Sequence, residues 1–413
     1  MEPNNFDLVI ISQYFYPDIA STGLVLTELA EDLAKYGKKI KILTGQPSYY
    51  QTKIKAPKQE DYKGFKIRRF NYLRLSKDNL ITRLISQFSF IKIVLFYLLF
   101  SRIKFKNLLI VSNPPFLPLI GYLLKKIKKC NFIYLINDIY PDIAIKLGVL
   151  SEKSFAARLM AWINQKGLRS ADFVIALGYD AKEILIQKGI EEQKIKVITN
   201  WADKDRIKWR KMIPKEKNRF IKKYNLENKF IILYTGNLGL THNLEVIIEA
   251  AEKLKNYSEI QFIFVGSGGA RKKLEDLVQK KNLKNVLFLP YQEEEIYSDV
   301  LSAGDLLLVT LAKGLAGLSV PSKTYIYLAN GGPIAAMMDK ESEIGQLIDQ
   351  YHCGFRVDSN DVNGFVEKIL EFYKDSDLRE KCGQNARKIF EQQFERSLVT
   401  KKYLEVLRDS PAL

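Results

Sequence analysis

Short apolar runs alternate with helical patterns along the whole chain, and this alternation limits the fold more than any other feature. Several of the runs are continuously apolar, which is typical of parallel strands covered by helices on both faces. Helical stretches such as Val25–Tyr36 and Phe155–Arg169 separate them. In the first half of the chain, strands are predicted at Leu8–Ser12, Lys39–Thr44, Leu108–Ser112, Phe132–Ile136, Phe173–Leu177 and Lys196–Thr199.

The same alternation of apolar runs and helical patterns recurs in the second half of the chain. Strands are predicted there at Phe230–Gly236, Ile260–Gly269, Asn285–Pro290, Asp305–Thr310 and Pro333–Met338. A chain of 413 residues is long enough for two cores. We therefore predict an α/β protein with two doubly wound, Rossmann-like parallel-sheet domains, whose strand-end loops face each other across a cleft. The predicted parts are an N-terminal domain (1–202), a basic linker (203–228), a C-terminal domain (229–390) and a C-terminal helix (391–413) that packs back on the N-terminal domain.

The charge is strongly positive and unevenly distributed. The net charge is +17 at pH 7, with thirteen Lys and Arg from Lys35 to Lys77 and ten from Lys204 to Lys223. Such an excess suits nucleic acid, an anionic membrane or phosphorylated small molecules. Three scattered cysteines offer neither a disulfide framework nor a four-ligand metal site, and they suit a reducing cytoplasm. The N-terminus lacks the pattern of a secretion signal.

The most apolar window is "FSFIKIVLFYLLF", Phe88–Phe100, which Lys92 interrupts and Arg83 and Arg102 flank. It is shorter than the ~20 residues that a membrane-spanning helix needs. It is either a core helix or a helix that lies in the membrane interface among anionic headgroups. The basic residues nearby favour the second interpretation, so we predict that residues 35–104 contact an anionic membrane surface.

The loop after the first strand reads "QYFYPDIASTG" and leads directly into a helix. The dinucleotide fingerprint Gly-x-Gly-x-x-Gly is absent. Thr22 and Gly23 nevertheless leave the N–H groups of a helix N-terminus accessible to an anion. The loop is therefore a plain strand-to-helix connection, part of a dinucleotide fold or a pocket for a phosphorylated sugar. Its aromatic residues Tyr14, Phe15 and Tyr16 either stack on a sugar or pack the loop.

Further segments follow in a fixed order. They are "NDIYPDIAIKLGVL" (Asn137–Leu150), "NWAD" (Asn200–Asp203), "LYTGNLGLTHNLEVIIEAA" (Leu233–Ala251), "FVGSGG" (Phe264–Gly269), "VLFLPYQEEEIYSDVLSAGDLLLVTL" and "VPSKTYIYLANGGPI" (Val320–Ile334). With these segments the chain resembles the bacterial GT-B retaining glycosyltransferases (glycosyltransferase family 4) of the colanic-acid and O-antigen polysaccharide type. The resemblance implies a GT-B fold and transfer of a hexosyl or N-acetylhexosaminyl group, with retention, from a UDP-sugar. It also implies a lipid-linked saccharide acceptor and a peripheral place on the inner face of the membrane.

Three positions depart from the pattern of the family. Asn137 stands where many relatives have His before the Asp of "NDIYPD". Asn237 and Thr241-His242 replace an Arg and a Lys that are frequent after the first glycine of the C-terminal domain. The Glu-x7-Glu pair is missing from Leu318–Leu328. These departures leave open which groups hold the diphosphate and the ribose.

Sugar transfer needs groups that stabilise the departing diphosphate, and fixed cations and helix N-termini can do this. Clusters of carboxylates with ligand spacing are absent from the sequence, so we predict no metal, and no cofactor besides the donor substrate. Lys323 is the strongest candidate, with Ser322 as the predicted N-cap of the following helix; a solvated Lys after an ordinary cap is the alternative. The predicted donor-binding residues are Thr22, Gly23, Gly236, Asn237, Gly239, His242, Gly266, Gly268, Pro290, Tyr291, Pro321, Ser322, Lys323 and Tyr325.

Some of these predictions have alternatives. His242 either caps a helix in an exposed position or contacts the diphosphate. Asn243 is expected to cap the next helix, and Glu293–Glu295 to form the acidic first turn of another. Pro290 and Tyr291 are assigned to the nucleobase only through the resemblance.

The catalytic prediction comprises Asn137, Asp138 and Asp142. Asp138 follows a buried strand, where a carboxylate is unfavourable unless it is hydrogen-bonded or functional. It either orients or deprotonates the acceptor hydroxyl, or caps the backbone. In the family that the chain resembles, no protein nucleophile is required.

Two other functions compete with the transferase. A nucleotide-sugar 2-epimerase shares the architecture, but it needs acid–base groups around the sugar, and the chain has only two histidines. A nucleic-acid-binding protein would interleave basic and aromatic residues, as "FKIRRFNYLR" (Phe65–Arg74) does faintly, and its binding would depend steeply on salt. The ordered loops favour the transferase, and we predict no nucleic-acid partner.

Overall fold

A computed structural model of the protein describes residues 5–18, 21–47, 55–75 and 80–410, without the side chains of residues 80 and 81. The chain divides into two compact units. The first unit consists of Met1–Thr199 together with Ser397–Leu413, and the second is Asn200–Arg396. Each unit is built on its own sheet.

In the first unit, the strands of the described residues form one eight-stranded sheet in the order β3-β4-β2-β1-β5-β6-β7-β8. All neighbours are parallel except β3 and β4. The strands are β1 Asn5–Ser12, β2 Ile40–Gly45, β3 Gln59–Tyr62, β4 Phe65–Phe70, β5 Lys104–Val111, β6 Asn131–Ile136, β7 Phe173–Ala176 and β8 Ile195–Val197. The helices are α1 Ser21–Lys35, α2 Leu80–Phe100, α3 Pro118–Lys128, α4 Asp142–Lys146, α5 Phe155–Ser170 and α6 Tyr179–Gln187.

The central strand β1 is apolar on both faces because helices cover the sheet on both sides. Leu8, Val9, Ile10 and Ile11 are at most 1% exposed. The chain passes from β1 to β2 on one side and returns to β5 on the other. The carboxyl ends of β1 and β5 therefore form a topological switch point, which is where open α/β sheets bind ligands.

In the second unit, the described strands form an all-parallel, six-stranded sheet in the order β11-β10-β9-β12-β13-β14. Its switch point lies between β9 and β12. The strands are β9 Phe230–Asn237, β10 Ile260–Ser267, β11 Val286–Leu289, β12 Leu306–Thr310, β13 Ile334–Met337 and β14 Gly354–Val357. The helices are α7 Arg219–Tyr224, α8 Glu245–Lys253, α9 Arg271–Lys280, α10 Tyr297–Ala303, α11 Lys323–Asn330, α12 Glu343–Tyr351, α13 Val362–Lys374 and α14 Ser376–Ile389.

The basic segment 203–228 belongs to the second unit. Asn218 caps α7, accepting hydrogen bonds from two backbone N–H groups of its first turn. Arg219 pairs with Asp299 at 2.7 Å and Arg206 with Glu294 at 2.5 Å. These contacts attach the predicted linker to α10 and to the turn before it.

The last helix, α15 (Arg396–Asp409), begins at the second boundary between the units. From Ser397 onward its residues belong to the first unit. Within that unit, the Thr400 hydroxyl donates to the Asp32 carboxylate at 3.1 Å. Two doubly wound sheets of this kind confirm the predicted fold class.

Candidate active site

The loops that follow β9, β10 and β12 interlock at the switch point of the second sheet. Leu238 N donates to Ser267 O at 2.9 Å, and Ala270 N donates back to Leu238 O at 2.9 Å. Ala312 N donates to Thr241 O at 2.8 Å, and this bond joins the loop after β12 to the loop after β9. The carboxyl ends of three central strands therefore carry one connected surface of backbone.

Glycines make this close packing of loops possible. A Cβ atom on Gly266 would lie 1.9 Å from the carbonyl oxygen of Gly236, and one on Gly268 would lie 2.4 Å from that of Leu238. Gly236 also has a φ of +117°, a conformation that side chains rarely allow. Asn237 and Gly239 complete the turn, with the Asn237 amide packed against Gly239. The surface thus presents backbone rather than side chains.

The side chain of Lys323, the first residue of α11, reaches this turn. Its ammonium nitrogen lies 3.2 Å from the centroid of the Tyr234 ring. A Cβ on Gly236 would lie 3.8 Å from the same nitrogen. The ammonium is shielded from solvent and has no hydrogen-bond partner among the residues that the structure describes.

Burial lowers the pKa of Lys323 well below the ordinary lysine value. An ammonium group has three N–H donors, and leaving them buried and unpaired is unfavourable. An anion with several acceptor oxygens, bound beside Gly236, would pair these donors and stabilise the charged form. A diphosphate has this chemistry.

His242 lies beside the same residues and is half-buried, so the predicted exposed cap is wrong. Its Nδ1 lies 3.1 Å from the carbonyl oxygen of Thr310, the last residue of β12. Burial and, second, the charge of Lys323 lower the His242 pKa to about 3. The ring is therefore neutral at physiological pH and donates from Nδ1 to this carbonyl.

Two predicted caps are also wrong. Ser322 has a helical conformation and makes no side-chain capping bond; the start of α11 is closed instead by Thr324 N, which donates to Pro321 O at 3.1 Å. Asn243 has a left-handed φ of 44° and donates to Asn360 at 2.8 Å. Both residues still shape the loops through the backbone.

Three further predicted donor-binding residues, Tyr325, Pro290 and Tyr291, have different surroundings. Tyr325 is 1% exposed and packs edge-on against Phe394, so its side chain belongs to the core and not to the loop surface. Pro290 is exposed, and its carbonyl accepts from Gln292 at 2.9 Å. Burial and, after it, Tyr327 and Tyr291 raise the pKa of Tyr234 well above its ordinary value. Residues Glu294–Ile296 form a short 3₁₀ turn before α10.

In the first unit, Ser112 joins the loops at the switch point. It follows β5, and its Oγ accepts from Asn137 N at 3.0 Å and from Asp138 N at 3.1 Å. The Asn137 amide nitrogen lies 3.5 Å from Thr22 Oγ1. The loops after β1, β5 and β6 therefore meet around half-buried Asp138. Ser112 is not among the predicted site residues, because its only signal in the sequence is a hydroxyl at the end of a strand.

The other residues of this edge have structural contacts. Asp142 begins α4, and Lys188 donates to its Oδ1 at 2.7 Å. Gly23 lets the helix start pack on the loop, since a Cβ there would lie 3.1 Å from Asp18 O. The catalytic role of Asp142 stays a prediction, but this ion pair gives it a structural role as well.

The aromatic residues of the first loop pack it. Phe15 is 2% exposed and lies edge-on to Phe65, and Tyr16 stacks on Tyr62 with the ring centroids 4.3 Å apart. The buried Arg69 donates to Tyr16 O at 3.0 Å. Phe15 and Tyr16 therefore hold the loop.

Among the described residues, no group of three or more His, Cys, Asp or Glu side chains could hold a metal ion. Metal independence stays a prediction.

The chain resembles known glycosyltransferases in sequence and in structure. Residues 216–389 match the model of "Glycosyl transferases group 1". The chain is 28% identical to WbjE of Pseudomonas aeruginosa, named as a probable glycosyltransferase, over 82% of this chain and 83% of that protein. It is 27% identical to WcaI of Escherichia coli K12, named as a colanic acid biosynthesis glycosyl transferase, over 82% and 84%. The structure resembles that of Anabaena HepE in complex with UDP and glucose, with a TM-score of 0.74 and 17% identity, over 98% and 99%.

The two doubly wound sheets and the likeness to HepE define the fold class: the protein has a GT-B fold. Residues 216–389 match the group 1 glycosyltransferases, and the matches to WbjE and WcaI confirm the predicted resemblance to glycosyltransferases of the colanic-acid type.

The glycine packing predicts a sharp difference between two neighbouring residues. In Gly268→Ala the new Cβ collides with Leu238 O, so we expect at least a roughly tenfold loss of affinity for inorganic pyrophosphate or UDP. Gly269→Ala is the matched control, because nothing lies within 4 Å of its Cβ. Calorimetric titration measures both variants, and equal affinities would show that the loop packing does not shape the site.

The burial of Lys323 predicts a gain in stability when the charge is removed. Lys323→Met should raise the free energy of unfolding of the ligand-free protein by about 1–2 kcal/mol at pH 7. Because the folded-state pKa lies below the unfolded one, this gain should shrink as pH rises toward the ordinary value of 10.5. Denaturant titrations at several pH values check it, with exposed Lys272→Met as control. A loss of stability at pH 7 would contradict this account of Lys323.

Proposed function

We propose that the protein transfers a sugar, with retention, from a UDP-sugar to a lipid-linked saccharide in the biosynthesis of a surface polysaccharide. The observation that carries this proposal is the buried, unpaired ammonium of Lys323 beside the Gly236 turn. Two comparisons support it: WcaI is named for colanic acid biosynthesis, and HepE has been crystallised with UDP and glucose.

On the donor side, the departing diphosphate gains negative charge as the glycosidic bond breaks. Lys323 and the N-terminus of α11 supply fixed positive charge in a region shielded from water, where electrostatic stabilisation is strongest. The glycine turn lets the diphosphate approach the backbone closely. His242 is neutral and bound to the Thr310 carbonyl, so it orders the loops and adds no charge.

On the acceptor side, Asp138 is the carboxylate that we assign to the acceptor hydroxyl. Ser112 fixes the backbone of Asp138 by accepting its N–H, and Asn137 and Thr22 lie beside it. Asp138 orients the hydroxyl and accepts its proton as the new glycosidic bond forms.

A donor screen tests the function directly. The protein is incubated with UDP-hexoses and UDP-N-acetylhexosamines and a lipid-pyrophosphoryl sugar, with EDTA present, and products are identified by mass spectrometry and their anomeric configuration by NMR. We expect transfer from one UDP-sugar with retained configuration. A 2-epimerised donor without transfer, an inverted product, or activity only after added magnesium would each contradict the proposal.

Asp138 and Asp142 should behave differently when each is neutralised. Asp138→Asn should lower kcat by about 10²-fold or more, because the acceptor loses its base. Its affinity for UDP should not change, since the donor site lies in the other unit. Asp142→Asn, the matched control, should lower the melting temperature through loss of the Lys188 pair and leave most of kcat intact. Steady-state kinetics and thermal melts distinguish the two; the reverse pattern would make Asp142 the catalytic carboxylate.

The membrane contact that we propose uses helix α2, which is apolar on two faces. Phe90, Val94 and Leu98 are fully buried against the core. On the other face, exposed side chains recur every three or four residues, so they form one stripe: Ile85, Phe88, Lys92, Phe96 and Phe100. Among the described residues, Thr82–Phe100 is also the one segment long and apolar enough to cross a membrane, and 33% of it is buried. Its packing on the sheet supports contact along the bilayer surface and not a crossing.

The surroundings of α2 suit anionic lipids. Residues 79–137 contain no Asp or Glu, and Arg83, Lys92, Arg102, Lys104 and Lys106 are exposed. An apolar stripe with basic neighbours binds where headgroups are negative. Parts of the predicted surface, residues 48–54 and 76–79, lie outside the described residues.

Liposome flotation with anionic and neutral vesicles tests this surface. Wild-type protein should float with anionic vesicles, and Phe96→Asp should reduce the bound fraction several-fold, because a charge replaces an exposed ring in the stripe. Met212→Asp, at an even more exposed apolar residue of the second unit, is the control. Equal flotation of both variants would remove α2 from the proposed contact.

A further inference from the structure

Tyr234 contacts the three groups that define the donor site. It lies on β9 and is fully buried. Its ring lies under the Lys323 ammonium at 3.2 Å, and the His242 ring lies edge-on at 5.8 Å. Its hydroxyl donates to the carbonyl oxygen of Asn237 at 2.7 Å. The side chain is therefore both a core residue and the floor of the site.

We propose that Tyr234 is a positioning residue for the reaction: its ring face holds the Lys323 ammonium beside the Gly236 turn in a state ready to bind the donor diphosphate. This inference rests on the proposed function, because it assumes that Lys323 binds the diphosphate. Tyr234 acts through Lys323 and does not itself touch the reacting atoms.

The ring face suits this task better than a carboxylate would. A carboxylate under Lys323 would form a strong charge-assisted hydrogen bond, which the diphosphate would have to break. An aromatic face attracts the cation without accepting its N–H groups in strong hydrogen bonds. The charge is held in place, and the N–H groups that do not face the ring remain available for phosphate oxygens.

Two backbone carbonyl groups of the neighbouring loops each accept a hydrogen bond from a side chain. The Asn237 carbonyl accepts from the Tyr234 hydroxyl, and the Thr310 carbonyl lies within hydrogen-bonding distance of His242 Nδ1. Both carbonyls therefore already have a donor. Tyr234 thus contributes twice, through its ring to the cation and through its hydroxyl to the turn.

The alternative is that Tyr234 serves only the core. It belongs to the main hydrophobic cluster of the second unit, together with Phe262 and Phe264. In that case Tyr234→Leu would lower stability, and its effect on ligand binding would not depend on Lys323. The experiment must therefore measure the coupling between the two residues.

A double-mutant cycle measures this coupling with UDP and with inorganic pyrophosphate as ligands. Affinities are determined by calorimetry for wild type, Tyr234→Leu, Lys323→Met and the double variant, and unfolding midpoints are recorded for each. Tyr234→Leu should weaken binding roughly tenfold in the wild-type background, the range of a shielded cation–π contact. In the Lys323→Met background it should change binding less than twofold, since coupled residues are not additive.

Two further variants distinguish the ring of Tyr234 from its hydroxyl, and its role in the site from its role in the core. Tyr234→Phe keeps the ring and should restore most of the affinity lost in Tyr234→Leu. Phe262→Leu truncates an equally buried aromatic of the same cluster two strand positions further from the loops, and should lower stability without changing affinity. Equal losses from Tyr234→Leu in both Lys323 backgrounds would overturn the inference. Failure of Lys323→Met itself to weaken binding would overturn the proposed donor site instead.

Discussion

A positive charge held out of water without a negative partner is the interaction on which the proposed donor site depends. Lys323 would be solvated on an exposed helix, and its charge would be weakened by the surrounding water. Here its ammonium is shielded, lies on an aromatic ring and adjoins a turn without side chains. In this environment the unpaired donors make the empty site unfavourable, and the same feature makes a bound diphosphate favourable.

The arrangement follows from the topology of the sheet. In the second unit, β9 and β12 are neighbours, but the chain leaves them in opposite directions. Their loops meet at the carboxyl edge through the hydrogen bond from Ala312 N to Thr241 O, and the glycine turn and the start of α11 lie at the same edge. The first unit has a switch point of the same kind between β1 and β5, where Ser112 accepts a hydrogen bond from the backbone of Asp138. The two switch points thus explain why the candidate site residues of each unit lie at the carboxyl edge of its sheet.

Much of the fold could be read from the sequence, because the strands of a covered parallel sheet are continuous apolar runs. Strands that break this rule were missed. β4 alternates apolar and basic residues, and its Arg69 is buried in a pair with Glu60 at 2.6 Å. The short β14 at the edge of its sheet was missed for the same reason. α2 extends eight residues before the predicted apolar window, because polar residues such as Ser86 and Gln87 are buried in its first half.

Site residues were predictable where the chemistry is local and not where it depends on packing. Gly236, Gly266 and Gly268 were found because glycine at a strand end marks a close approach of backbone. Ser322 and Asn243 have good capping propensities, but the loop geometry gives them helical and left-handed conformations in which they do not cap. Tyr325 lies two residues after Lys323, and on a helix that spacing turns its side chain to a different face, here into the core.

The burial of Lys323 gives a physical explanation for the departures from the family pattern in this turn. The turn carries Asn237, and Thr241-His242 follow, where relatives often have Arg and Lys. Arg271, the nearest cation after the next strand, donates to the carbonyl of Gly266 and pairs with Glu275, so it braces a loop. His242 stays neutral because its partial burial and the charge of Lys323 lower its pKa. Among the described residues of this turn, the charge available to a diphosphate is therefore concentrated on Lys323. A single cation can replace several only if little water screens it, which makes the burial of this lysine, and not the number of basic residues, the property that the site requires.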